Sequence, residues 1–285
     1  MEPVLVTGAA GGRQGSTGRL VLDLLRERCV PVRAFVHTDD DRAAALRASG
    51  AEVVVGDVRD IADIGPALRG VRRAFFTYPV TWGMVDAAGA FAVAARQTGL
   101  ERVVAVSQLA ADPAAGTPHM RQHWVAEQVL DLAGVGAVHL RAGVFFENLA
   151  VQVAARGELA LPLGPAQTVL PLIAAADVAR VGAALLAEPG QVDPIHWLTG
   201  DVRTAAEAAA AFGVGYRDLP VPEWETGARA LYRDDRAVEH LTALWALLKA
   251  IGSGHDLYEV SAAIERIGGR APTALEDFTG VRVSR

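Results

Sequence analysis

Val4 to Thr7 forms a short apolar run that leads straight into the loop Gly8-Ala9-Ala10-Gly11-Gly12-Arg13-Gln14-Gly15-Ser16-Thr17-Gly18. That loop opens a helix with apolar positions at Leu20, Val21, Leu24 and Leu25. A strand, crowded glycines and an amphipathic helix, in that order, restrict the chain more than any other feature it has. Glycines let a backbone turn tightly and come close to a pyrophosphate, and a helix N-terminus offers unpaired N–H groups and partial positive charge. The expectation is a dinucleotide site at the head of a parallel α/β sheet. Gly12, Gly15 and Gly18 keep one G-x-x-G-x-x-G register, while Gly8 and Gly11 begin another that Gln14 interrupts, so the loop is longer than usual.

The rest of the chain supports that frame. Apolar strands are expected at Val32–Val36, 51–55, 71–77, Arg102–Ser107 and 137–141, alternating with helices at 61–68, 84–97 and Arg121–Ala133. Single helices between strands require right-handed crossovers and a sheet covered on both faces. After Arg141 the rhythm breaks into a loop-rich stretch punctuated by Pro162, Gly164, Pro165 and Pro171, then a helix from Asp177 and a further strand at Ile195–Leu198. A mainly helical tail follows Pro220. The expected fold class is α/β: a Rossmann-type doubly wound parallel sheet with a smaller, mostly helical C-terminal substrate lobe. Residues 1–142 would bind the dinucleotide and 143–285 mostly the substrate, with roughly 166–200 returning to the first domain.

Composition narrows the partners. The 285 residues carry a formal net charge of −6, without the basic footprint of a nucleic-acid binder. No apolar run reaches the ~18 residues of a membrane helix. Cys29 is the single cysteine, which fits a reducing cytoplasm. A small-molecule substrate is expected, with no nucleic acid and no membrane, in a monomer or homodimer. No metal is expected, because no third ligand stands at suitable spacing from His119 and His123.

An ordered set of motifs carries a resemblance that runs nearly end to end: VTGAAGGRQGSTG from Val6, AEVVVGDVRD from Ala51, FFTYP from Phe75, VVAVSQLAA from Val103, HLRAGVFFENL from His139 and GGRAPTALEDF from Gly268. Together they resemble the NmrA-like group of atypical short-chain dehydrogenase/reductases. That group includes quinone reductase-like, azo-dye and triphenylmethane reductases as well as non-catalytic redox sensors. The resemblance implies pyrophosphate contacts from Gly8, Gly11, Gly12, Arg13, Gln14 and Gly15, adenine contacts from Asp57 and Val58, and nicotinamide ribose beside Thr77 and Ser107. It also implies that Phe145, Phe146 and Asn148 stand near the nicotinamide. An aromatic or quinone-like substrate is expected to enter under the C-terminal lobe, between Phe145, Phe146 and Trp82 or Trp224.

Ordinary short-chain dehydrogenases relay a proton through a Ser-Tyr-x-x-x-Lys set. Ser107 matches the serine, but the tyrosine and lysine positions hold His119 and His123. No tyrosine lies between Tyr78 and Tyr216, and the sole lysine is Lys249. Spaced four apart, the two histidines share a helix face. His119 and His123 are then candidate acid–base groups, since imidazole titrates near neutrality, with Tyr78 a further candidate donor. The bland alternative is that His123 only binds a cofactor hydroxyl.

At the end of the second strand, where an NAD site places an acid for the ribose hydroxyls, the sequence reads Val36-His37-Thr38. His37 stands where relatives carry an arginine for the 2′-phosphate, and Arg13 and Arg42 are near in sequence. NADPH is the expected cofactor and NAD the alternative, with Asp39 to Asp41 as first-turn helix acids. The leading expectation is an NAD(P)H-dependent oxidoreductase passing hydride directly to an aromatic or quinone-like acceptor. The competing one is a dinucleotide-binding redox sensor without turnover.

Overall fold

A computed structural model describes residues 2–12, 16–188, 190, 192–251 and 256–280. Strand and helix alternate strictly through β1 (Val4–Thr7), α1 (Thr17–Glu27), β2 (Val32–Val36), α2 (Asp41–Ala48), β3 (Glu52–Val55), α3 (Ile61–Leu68), β4 (Arg73–Phe76), α4 (Met84–Thr98), β5 (Arg102–Gln108), α5 (Pro118–Ala133) and β6 (Ala137–Ala142). The chain continues through β7 (Val144–Phe145), α6 (Phe146–Arg156), β8 (Leu159–Leu161), β9 (Val169–Ile173), α7 (Ala175–Ala187), β10 (Ile195–Leu198), β11 (Asp201–Thr204) and α8 (Ala205–Ala211). It ends in β12 (Tyr216–Asp218), α9 (Val221–Tyr232), α10 (Asp235–Ile251), α11 (Ala262–Gly268) and α12 (Leu275–Thr279).

Seven strands form one parallel sheet in the order β3-β2-β1-β4-β5-β6-β10. The chain steps outward from β1 to β3 and then restarts at β4 on the other side of β1. That reversal opens a crevice at the carboxyl ends of β1 and β4, where open α/β sheets bind ligands. Both faces of the sheet are covered, as parallel strands require. Helices α1 and α7 pack together on one face, with α11 against α7, and α3, α4 and α5 pack side by side on the other. Every residue of β1 is buried, and Val21, Leu22 and Leu25 of α1 seal one core. Phe76 and Phe91, with ring centroids 5.0 Å apart, anchor the other.

A third core belongs to the later residues. Trp224 and Trp245 meet edge to face, with centroids 6.4 Å apart, among Leu241, Leu244 and Leu248 of α10. Two small sheets, β11-β9-β7 and β12-β8, brace it. In the segment expected to return to the main sheet, α7 and β10 do so, whereas β9 pairs with β7 and β11 instead.

Local chemistry explains two boundaries that matter for the site. Helix α5 starts at Pro118, three residues before the expected Arg121. Proline suits the first helical position, and the Thr117 hydroxyl accepts the Met120 N–H at 3.1 Å. That start puts His119 inside the first turn. Helix α8 is fixed by a reciprocal capping box between Thr204 and Glu207.

Candidate functional site

One cavity of about 850 Å³ runs from the glycine loop along the carboxyl ends of β1, β2, β4 and β5, and beneath α9 and α10. At its first end the wall is backbone. Gly8 has φ +66°, and a Cβ there would lie 2.7 Å from Thr77 Cγ2. A Cβ on Gly18 would meet the Thr7 carbonyl oxygen at 2.4 Å, so this glycine lets α1 sit directly on β1. Around Gly12 a Cβ would find open space, on the cavity side.

The Thr7 hydroxyl donates to the Thr77 carbonyl at 3.0 Å and accepts the Thr77 N–H at 2.8 Å, locking the tips of β1 and β4 together. Ser16 precedes α1 with its hydroxyl turned back to the Gly12 carbonyl at 2.9 Å, so no side chain caps the helix. No acid stands in its first turn. An uncapped helix start facing open space beside glycines fits a pyrophosphate. Arg13, Gln14 and Gly15 lie outside the described residues.

Beyond β2, His37 and Thr38 are exposed on the cavity wall. Asp40 is the N-cap of α2, accepting the N–H groups of Arg42 and Ala43. It also holds the Arg42 guanidinium at 2.6 Å, and that guanidinium donates to the Gly11 carbonyl at 3.2 Å. Asp39 pairs with Arg47 at 2.6 Å. The acids near the ribose position are therefore matched by bases, and Arg42 holds the Asp40 carboxyl below its ordinary range. After β3, Asp57 pairs with Arg59 at 2.6 Å, which lowers its carboxyl to about 2, and Val58 lines the wall beside it.

The middle of the cavity is floored by a buried network. Ser107 donates to Glu127, and Glu127 also accepts from Arg141 Nε at 3.0 Å and Nη2 at 2.6 Å. Tyr78 is committed differently from the expected free donor: its hydroxyl donates to the Trp82 carbonyl at 2.9 Å, and burial pushes its pKa up. Trp82 itself is exposed at the mouth under the Arg236 guanidinium, 4.3 Å from the ring centroid. Thr81 donates to Asp234 at 2.6 Å, tying the loop after β4 to the start of α10.

The far end is mostly apolar, with imidazoles, amides and the Asp234 carboxylate among its lining. His119 and His123 meet edge to face, 4.7 Å between centroids, and His240 of α10 lies 5.1 Å from His119. Burial drives His119 down to about 4 and His240 to about 3, and takes His123 well below its usual value. All three rings are neutral at pH 7, which corrects the expectation of groups titrating near neutrality. They offer N–H donors and lone pairs instead of a ready imidazolium. His119 Nδ1 lies 3.1 Å from Gln122 Oε1, and His240 Nε2 lies 3.1 Å from Gln108 Nε2.

Phe145 and Asn148 line the cavity, and Asn148 Oδ1 is buried without a partner. Phe146 does not reach it. The change from β7 to α6 at this point turns its ring into the lobe core, 5.4 Å from Phe278. Trp224 is likewise fully buried against Trp245, away from the cavity. His240, Gln108 and Asp234 escaped the sequence reading; His240 lies 132 residues from the amide it touches, so no local pattern could join them. Among the described residues, no cluster of three His, Cys, Asp or Glu is placed to hold a metal ion. No helix there is long and apolar enough to cross a membrane.

Residues 12–189 match a family model described as NAD(P)H-binding. An NAD(P)H azoreductase of Xenophilus azovorans is 27% identical over 248 residues, covering 83% of this chain and 85% of that protein. Among solved structures, the NADPH-dependent quinone oxidoreductase of Escherichia coli complexed with NADPH superposes with a TM-score of 0.80. It is 23% identical and covers 97% of this chain and 98% of that one. NmrA, a negative transcriptional regulator, superposes with a TM-score of 0.75 at 16% identity, covering 98% and 95%.

Proposed function

Since the chain belongs to the NAD(P)H-binding family, with its model spanning residues 12–189, we propose that it is an NADPH-dependent reductase of aromatic, quinone-like acceptors. One observation carries the reading: a single cavity joins an uncapped, glycine-lined helix start to an apolar, imidazole-lined end. The names of its relatives, an azoreductase and a quinone oxidoreductase, point the same way.

In this reading Gly8, Gly11, Gly12 and the start of α1 hold the pyrophosphate, joined by Arg13, Gln14 and Gly15. Asp57 and Val58 flank the adenine, and His37, Thr38 and Arg42 receive the 2′-phosphate. Thr77, Ser107 and His123 bind around the nicotinamide ribose, and Asn148 Oδ1 accepts an amide N–H of the carboxamide. When bound, the nicotinamide supplies a hydride to the acceptor. The chain's part is to orient and to exclude water: Ser107 is held by Glu127, and Phe145 and the leucines of α10 keep the far end dry. Holding reacting groups ~3–3.5 Å apart supplies much of such a rate enhancement. With no Tyr-x-x-x-Lys pair and with neutral imidazoles, the proton that completes reduction comes from water after transfer. Residues 1–142 with α7 and β10 form the nucleotide part and, through Gln108, His119, Met120 and His123, one wall of the acceptor part, which the remaining residues complete.

The test is steady-state oxidation of NADPH and of NADH against 1,4-naphthoquinone and an azo dye. Saturating turnover with NADPH, and a lower kcat/KM with NADH, is expected. Tight NADPH binding without oxidation by any acceptor would replace this reading with a sensor like the regulator that shares the fold.

A further inference from the structure

We infer, resting on the reductase reading, that His240 is the residue that orients the acceptor. Its Nδ1–H donates to the ring carbonyl of an uncharged quinone, and the site discriminates against anionic ones. The argument starts from hydrogen-bond bookkeeping. Gln108 Nε2 is an amide nitrogen, which only donates, and it lies 3.1 Å from His240 Nε2. With the Gln108 amide nitrogen turned to the ring, Nε2 is the accepting nitrogen, and in a neutral imidazole the proton then resides on Nδ1. That atom is buried and has no partner, in a ring that is 2% exposed and lines the cavity. A buried donor left unpaired costs stability, and in a ring that lines the cavity a ligand's accepting atom can satisfy it.

A neighbouring orphan repeats the pattern with opposite polarity. His119 Nδ1 faces the Gln122 carbonyl oxygen, so it carries the proton and leaves Nε2 an acceptor, also buried without a partner. The two rings lie 5.1 Å apart. The ligand thus meets a donor beside an acceptor, both uncharged. The surrounding wall, Met120, Leu241, Leu244 and Leu247, is apolar and suits a flat ring system.

The charges decide selectivity. The arginines that line the cavity, Arg42 and Arg59, stand at the nucleotide end and are each paired to an aspartate. At the acceptor end the charged lining residue is Asp234, and Arg236 nearby is turned to Trp82 and Glu239. A sulfonate or carboxylate entering here would lose hydration and approach Asp234, while the nearest cation, Arg236, is already paired with Glu239 and stacked on Trp82.

The experiment uses the whole protein saturated with NADP⁺, a complex that cannot reduce the acceptor. Binding of 2-methyl-1,4-naphthoquinone and of 1,4-naphthoquinone-2-sulfonate is read from tryptophan fluorescence, and kcat and KM are measured separately with NADPH. The wild type is expected to bind the uncharged quinone about tenfold or more tighter than the sulfonate. His240→Phe should weaken uncharged-quinone binding and raise its KM by about tenfold, with the NADPH dissociation constant unchanged. His240→Asn, which keeps an N–H donor near the Nδ1 position, should recover most of the loss. Should Phe not be accommodated, His240→Leu removes the same N–H in a smaller apolar shape. Equal binding of the two quinones, or wild-type binding by the Phe and Leu variants, overturns the inference. Quinone binding that depends on His240 in a protein that oxidises no NADPH supports it and overturns the reductase reading. Wild-type turnover in His240→Phe does the reverse.

Discussion

At the nucleotide end the cavity wall is backbone and paired charge: Gly8 and Gly12, the bare start of α1, and arginines each clasped by an aspartate. At the acceptor end it is side chain and, apart from Asp234, uncharged: three imidazoles, two amides and the leucines of α10. The first end is made by the loops that follow four strands, β1 to β4. The second is assembled from β5, α5, α6 and α10. A charged group is met by successive strand-end loops of one repeating pattern, whereas an apolar wall is a surface that helices and strands of both parts share. Evolution can therefore change the second without touching the first.

That contrast can be broken from largest effect to smallest. Glu127 supports the floor shared by both ends. Glu127→Leu should remove roughly 3–5 kcal/mol of stability by leaving Arg141 with its buried partner gone, as denaturant unfolding would measure. If stability holds, the floor is not a shared support. Gly12→Val touches only the nucleotide end. Because a Cβ there meets nothing, the melting temperature should stay put, while NADPH binding by calorimetry should weaken on the order of 100-fold. Normal binding would move the pyrophosphate elsewhere in the loop.

The acceptor end should reveal itself through pH. An unfolded histidine takes its proton near 6.5, whereas folded His119 and His240 resist until about 4 and about 3. Between those values the unfolded chain binds more protons, so stability is complete above 6.5 and falls as pH drops towards 4. The groups facing these rings are Arg236, His123, Gln122 and Gln108, none of them an anion that would favour protonation. His119→Phe should flatten this slope by up to about 1.4 kcal/mol per pH unit, and an unchanged slope would show the ring already charged. Finally, Arg42→Ala should raise the KM for NADPH about tenfold and leave that for NADH alone. Equal effects would deny Arg42 the 2′-phosphate.

What the sequence disclosed follows the same division. The glycine loop and the alternation of strand and helix are local facts, and local facts survive folding. Phe146 was misplaced because β7 gives way to α6 between adjacent aromatics, and that switch decides which ring faces the cavity. Trp224 resembles any aromatic at a helix start until its partner Trp245 is seen. His240 sits on a helix face otherwise filled by Leu241, Leu244 and Leu248, where a histidine ordinarily means packing. Only the approach of Gln108 and His119 gives it another meaning. The depression of the imidazoles is likewise invisible in sequence, because burial is a property of the whole assembly.

The main sheet takes its last strand, β10, from the far side of the lobe: β6 ends at Ala142, and its neighbour arrives only at Ile195. Helix α7, which covers α1, is made in the same late interval. On the ribosome this leaves β6 as an open edge, and one face of the sheet incompletely covered, while on the order of 50 further residues are made, a few seconds of synthesis. Unpaired strand edges invite the wrong partner. Any fragment or fusion cut before Leu198 keeps that exposed edge permanently, and aggregation should follow from where the chain was cut.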